Sequence, residues 1–241
     1  MKQLTIRSVA VFALVATMGF GVATVASAGS TTTTTTPSAK FVAAQQLLET
    51  QLAARVTRLT HLTADVTGAT SLSASASLTL QARLSTEAAS INTLVAKVPT
   101  DTTFAELDAD RAAMYKDNRV YAVMSPQVFE MIEASLVANQ VTTDQGNEAT
   151  LQTEVASLVG MAGYENALHH YNSYVLRISN WSVRIVNIEA NVLAQMPTDW
   201  PGDTNVFVNA NHQILAANIA LAYADYDAAV IGLASGGYTG S

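Results

Sequence analysis

Phe207, Ile214, Leu221 and Ala228 stand seven residues apart, and Ala210, Ala217, Ala224 and Ile231 repeat the same step three positions further on. Two apolar rows at alternating three- and four-residue spacings dictate an α-helix whose inner face is sealed by another helix. Alanine along one row allows the partner to approach at the near end of the usual interaxial separation of about 8–10 Å. The feature therefore commits the C-terminal segment to a helical bundle, and a short preceding loop makes the pairing antiparallel.

The same spacing recurs upstream. Phe41, Leu48, Leu52, Leu59, Leu62 and Val66, with Gln45 and Arg55 as polar exceptions, predict a long amphipathic helix ending near Gly68. Leu80, Leu84, Ala88, Ile91, Val95 and Val98 predict a second, stopped by Pro99, so that the two form an antiparallel hairpin. Ser71 to Ser77 alternates Ser with Leu and Ala without β-branched residues, and reads as a loop or a frayed helix start.

A third helix starts near Thr103, with Asp101 or Thr102 as cap and Glu106 in the favourable first turn. No charge lies between Arg119 and Glu130, where Val120, Tyr121, Val123, Met124, Val128 and Phe129 point all round the axis. A segment apolar on every side is expected to be buried on every side, at the centre of the fold. Pro126 after Ser125 marks a break or sharp kink.

Thr142 to Asn147 reads as a polar loop. A very long helical pattern follows from Leu151 through Val155, Leu158, Leu168, Tyr171, Val175, Ile178, Ile185, Ile188 and Val192 to Met196, bent at Gly160 and Gly163. Unbent, it would reach roughly 70 Å. Pro197 to Gly202 is a loop by its two prolines and glycine. The expectation is an all-α, elongated antiparallel bundle of about five long helices with coiled-coil-like packing, over residues 39–235, followed by a disordered tail at 236–241.

The N-terminus addresses the compartment. Lys2 and Arg7 precede an apolar run from Val9 to Val25 that ends in Ala26-Ser27-Ala28, the pattern of a signal peptide over residues 1–28, cleaved after Ala28 with Ala26 and Ala28 in the peptidase pocket. Residues 29–38 hold six threonines, Thr31 to Thr36, and Pro37, and read as a flexible linker that also suits O-linked sugars. There is no cysteine, so neither a lipidated cysteine nor a disulfide is available and packing alone must stabilise the exported fold. No membrane span is expected in the mature chain, which places it in the medium or at the cell envelope.

The 12 basic against 19 acidic residues give a formal charge of −7, more negative still without Lys2 and Arg7. The last basic residue is Arg184. Nucleic acid is accordingly excluded as the expected partner, and anionic lipid disfavoured.

Reactive motifs are missing. No Gly-x-Ser-x-Gly elbow, His-Glu-x-x-His, Ser-x-x-Lys or phosphate loop occurs. Glu165 and His169 share a helical face next to His170, but a di-iron bundle wants a second Glu-x-x-His, so they read as surface imidazoles and no metal is assigned. Glu106, Asp108 and Asp110 form a solvated helix face, and Asp199, Asp203 and Asn205 lack calcium-loop spacing, with Asp203 or Thr204 more simply a helix cap. Tyr164, Tyr171, Tyr174 and Trp181 lie along one region of the long helix. Such a stripe is more often core, yet its phenolic tips make it the best candidate pocket for a small ligand.

The stretch Asp110-Arg111 through Asp117-Asn118-Arg119-Val120-Tyr121-Ala122-Val123-Met124-Ser125-Pro126-Gln127, preceded by Leu59-Thr60-His61-Leu62-Thr63-Ala64 and Asp101-Thr102, resembles a group of secreted, Ala- and Thr-rich helical proteins of actinobacteria. Leu193-Ala194-Gln195-Met196-Pro197 and the Ala-rich last helix extend the resemblance over most of the chain, although Met124-Ser125 stands where a more aliphatic pair usually precedes the proline. The resemblance implies an exported helical protein and brings no activity, cofactor or catalytic residue with it.

The expected function is a non-catalytic structural or protein-interaction role at the cell envelope, with an unknown protein or envelope partner and self-association open. The alternative is an extracytoplasmic binder of a small hydrophobic ligand between helices. A pocket lined by the aromatic group would favour the binder, and a solid core with an exposed apolar seam would favour a partner protein or a second copy.

Overall fold

Ser38 opens the first helix by accepting the Phe41 N–H on its Oγ at 3.2 Å, and α1 runs Ala39–Gly68. The computed structural model describes residues 38–199 and 205–236, all within one compact unit. The leader with Ala26 and Ala28, the threonine tract, Asp203, Thr204 and the residues from 237 onward lie outside the described residues. So many threonines survive in α1 because Thr50, Thr57, Thr60, Thr63 and Thr67 each donate Oγ1–H to the carbonyl four residues back.

Helix α2 spans Ala74–Lys97 with Ser73 as its cap, which resolves the serine-rich stretch into a true helix start. α1 and α2 form the expected antiparallel hairpin, since the turn joins them at one end and Gln45 Nε2 donates to the Val98 carbonyl at 2.7 Å at the other. The two polar exceptions in α1 thus have definite partners. Arg55 is buried with its guanidinium 5.0 Å from the Tyr115 ring centroid and 5.2 Å from that of Tyr121.

Helix α3, Phe104–Lys116, is capped by Thr103 in a capping box with Glu106, one or two residues beyond the expected cap. Asp101 is instead buried near Lys97. The chain breaks at Asp117 to Arg119, takes one π-helical turn over Val120–Met124, and continues into α4, Ser125–Ser157, with Pro126 in its first turn. The break therefore precedes the proline. Val120, Val123, Met124 and Val128 are buried as expected, but Tyr121 and Phe129 are exposed. Their rings face the Arg55 and Arg58 guanidinia, so aromatic residues on that side serve cations of α1 rather than the core.

Two boundaries differ from expectation. Thr142 to Asn147 lies inside α4, because Thr142 and Thr143 bond back to the Ala138 and Asn139 carbonyls while Val141 and Asp144 face the core. The long pattern after it is two helices, α4 and α5, Tyr164–Ala194, separated by a turn in which Gly160 and Gly163 take φ of 82° and 98°. Those values belong to glycine, and they turn the expected bend into a reversal. Helix α6, Val206–Ala234, closes the unit.

The result is an all-α bundle of five long helices and the shorter α3, with no strand among the described residues. The densest packing joins α5 to both α4 and α6, and α1 to α2. Ser135 Oγ meets Glu189 Oε1 at 3.0 Å and Tyr174 Oη meets the Asp144 carbonyl at 2.7 Å, which sets α4 and α5 antiparallel. Arg58 Nε donates to Ser125 Oγ at 3.0 Å and Asn139 Nδ2 to the Ser71 carbonyl at 3.2 Å, tying the hairpin to α4.

Candidate functional site

The aromatic group divides when folded. Tyr174 and Trp181 are buried in the core, the Tyr174 hydroxyl being used by the Asp144 carbonyl, while Tyr164 and Tyr171 are half-buried against the same core. Two clefts stand out. One of about 280 Å³ lies between the end of α5 and the start of α6, lined by Ile188, Asn191, Gln195, Asn209 and Gln213 among others. The other, about 190 Å³, is lined by Arg83, Thr86, Glu87, Met124, Met196 and Pro197 among others. Neither is lined by any of the four aromatics, and both fall below the roughly 300 Å³ at which small-ligand sites begin.

The histidine pair also divides. Glu165 and His169 are exposed, whereas His170 turns to α6 and places Nδ1 2.7 Å from Asp227 Oδ1. Arg177, two turns further along α5, donates Nε–H to Asp227 Oδ2 at 3.2 Å. The Tyr226 ring stands edge-on to His170 and the Tyr223 ring lies 5.3 Å from the Arg177 guanidinium. Both carboxylate oxygens of Asp227 are thereby engaged, which makes the cluster a clamp between α5 and α6. Among the described residues no group of three or more His, Asp or Glu is placed to hold a metal. Asn205 sits at the start of α6 without capping it through its side chain.

Asp227 holds a buried position that the seven-residue repeat assigns to Ala228, which is only half-buried. His170 and Arg177 of α5 engage the Asp227 carboxylate from that side, so the clamp rather than the repeat sets the inner position there.

At other carboxyls burial favours the neutral form. Burial pushes Glu87 and Glu130 up to about 7 and Asp144 up to about 6, the last opposed by a hydrogen bond from Gln140. Asp101 is raised chiefly by burial, while Lys97 is raised chiefly by its hydrogen bond to Asp110. Glu106 is lowered by the N–H groups of Thr102 and Thr103 and the Thr103 hydroxyl, as its capping role requires. Glu87 shares its cleft with Thr86, whose Oγ1–H is given to the Ala82 carbonyl at 3.0 Å rather than to the acid.

The outside of α6 offers a surface for recognition. Val208, Leu215, Ile219, Tyr226 and Leu233 are each more than half exposed. With His212, Ala222 and Ala229 they form a second row at alternating four- and three-residue steps, nearly opposite the inner seam. The row contains no formally charged residue. Asp225 and Asp227 are the only Asp, Glu, Lys or Arg in the helix, and neither lies on it. α6 is also long and apolar enough by composition to cross a bilayer, with only 33% of that window buried. Apolar residues on two faces account for that composition, and the clamp at Asp227 holds the inner face in the bundle.

The described residues define an all-α helical bundle with an apolar outer face on α6. Comparison with protein-family models, curated proteins and solved structures finds no match to this chain. Sequence reasoning missed the clamp and the outer seam. The signal for the seam was available in the eight residues from Val208 to Leu233, whose repeat is as regular as the inner one.

Proposed function

We propose that the chain is an exported, non-catalytic helical protein with a structural or protein-interaction role at the cell envelope, akin to the secreted Ala- and Thr-rich actinobacterial proteins it resembles. The observation that carries this reading is the exposed seam of α6 over an interior in which Tyr174 and Trp181 are packing elements. Monomeric surfaces seldom leave so long a contiguous apolar row uncovered, and such rows mark protein or membrane contacts. The leader from Lys2 to Ala28 supports export, and the excess of acidic residues keeps the rest of the surface from associating indiscriminately.

Native mass spectrometry of the protein from the envelope and medium fractions of its own host tests the reading. A chain beginning at Gly29, bare or in a protein complex, is the expected result. A defined small-molecule mass on every chain would overturn it in favour of the ligand binder, and a chain still carrying residues 1–28 would overturn the cleavage.

A further inference from the structure

Resting on that interaction reading, we propose that the outer seam of α6 pairs with the same seam of a second copy of this chain, antiparallel and about a twofold axis near residues 219–222. A lipid surface requires apolar residues on one side of a helix, but not a strict alternation of four- and three-residue steps. That alternation, kept without a gap from Val208 through His212, Leu215, Ile219, Ala222, Tyr226 and Ala229 to Leu233, is what another helix reads.

Residue sizes select the direction. In a parallel pair each seam residue meets its own copy, so Tyr226 would oppose Tyr226 and Ala222 would oppose Ala222, alternating collision with void. In the antiparallel pair centred on the seam, Ile219 meets Ala222, His212 meets Ala229, Leu215 meets Tyr226 and Val208 meets Leu233. Large residues then face small ones at both pairs that contain alanine. Charge agrees: Asp225, which shares the field of Asp144 on the α4 side, is held level with its copy by the parallel arrangement and moved to the far side of the axis by the antiparallel one.

Area agrees as well. Taking about 150–250 Å² for each ring and less for each aliphatic chain, the exposed fractions of Val208, Leu215, Ile219, Tyr226 and Leu233 leave roughly 500 Å² of apolar surface per chain. A standard interface takes about 800 Å² from each partner, polar rim included. The seam supplies the apolar part of a stable homodimer, and the pairing buries it completely because an isologous contact closes on itself.

Sedimentation equilibrium of the purified full chain should give twice the chain mass at micromolar concentration, and Leu215→Asp or Ile219→Asp should return it to the monomer with an unchanged circular dichroism spectrum. The absence of native cysteine allows the register to be read directly. His212→Cys mixed with Ala229→Cys should form a disulfide-linked dimer under mild oxidation, whereas Ala229→Cys alone should not, since its two copies would lie about 25 Å apart. Self-linking of Ala229→Cys would overturn the antiparallel register. A monomeric wild-type chain would overturn the pairing, and flotation of that monomer with phosphatidylcholine vesicles would give the seam to a bilayer. A monomer found in a complex with another envelope protein by native mass spectrometry would overturn the second copy while leaving the interaction reading intact.

Discussion

Glu87 lies on the inner face of α2 between Leu84 and Ile91, buried, with Oε1 lacking any hydrogen-bond partner. Burial raises it from an ordinary 4.5 to about 7. Between those two values the folded chain binds a proton that the unfolded chain has released, so stability falls as pH rises through the window and is level above it. Each unit of separation is worth 1.36 kcal/mol, which gives a ceiling of about 3 kcal/mol at pH 8. Glu87→Gln keeps the shape and cannot ionise. The variant should match the wild type near pH 4, gain about 2 kcal/mol by pH 6 and approach about 3 kcal/mol at pH 8. Urea unfolding followed by circular dichroism at 222 nm from pH 4 to 8.5 measures this directly. A gain independent of pH, or a loss at every pH, would refute the claim that ionisation in a buried site sets the cost. Because Glu130 and Asp144 are raised for the same reason, the wild type should be more stable at pH 5 than at pH 8.

Three further substitutions probe the bundle. Val120→Asp should cost about 4 kcal/mol or more, since it puts an unpaired carboxyl at a fully buried position of the π-helical turn; a thermal melt unchanged from wild type would remove that position from the core. Tyr174→Phe deletes the bond to the Asp144 carbonyl and should cost about 1 kcal/mol by denaturant titration. Asp227→Ala leaves His170 and Arg177 facing each other without their shared carboxylate, and should cost about 2 kcal/mol, with hydrogen exchange accelerated at the end of α6 more than in α1.

The hairpin and α6 could be read from spacing because each keeps its apolar residues in register over several turns, whereas the charge-free run after Arg119, expected to be buried on every side, leaves Tyr121 and Phe129 exposed. Thr142 to Asn147 could not, since hydroxyls that bond back to the same helix look in sequence like residues that leave it. The reversal at Gly160 and Gly163 reads as a bend until both adopt positive φ. Partners across long separations were invisible: His170 and Asp227 are 57 residues apart, and nothing local to either says that they meet. The apolar stripe of α5 signalled burial correctly for Tyr174 and Trp181, whereas whether it also enclosed a pocket depended on how closely α4 and α6 approach.

A helix with two opposed seven-residue repeats is under two separate constraints, and only one of them concerns the fold of its own chain. The inner row would hold α6 in place with any polar residues outside, as α1 shows: there the surface carries Thr50, Thr57, Thr60 and Thr67 between the buried leucines. α6 does the reverse and spends its outer face on Val208, Leu215, Ile219, Tyr226 and Leu233, at a cost in solubility that stability within the chain does not explain. A regular exposed row also invites unlimited association unless its partner covers it whole. An antiparallel pairing about residues 219–222 meets that requirement, since every seam residue is covered at once and none remains to recruit a third chain. The alternation of large residues with Ala222 and Ala229 then has the same meaning outside the bundle that Ala210, Ala217 and Ala224 have within it, as the sites at which a neighbouring helix comes close.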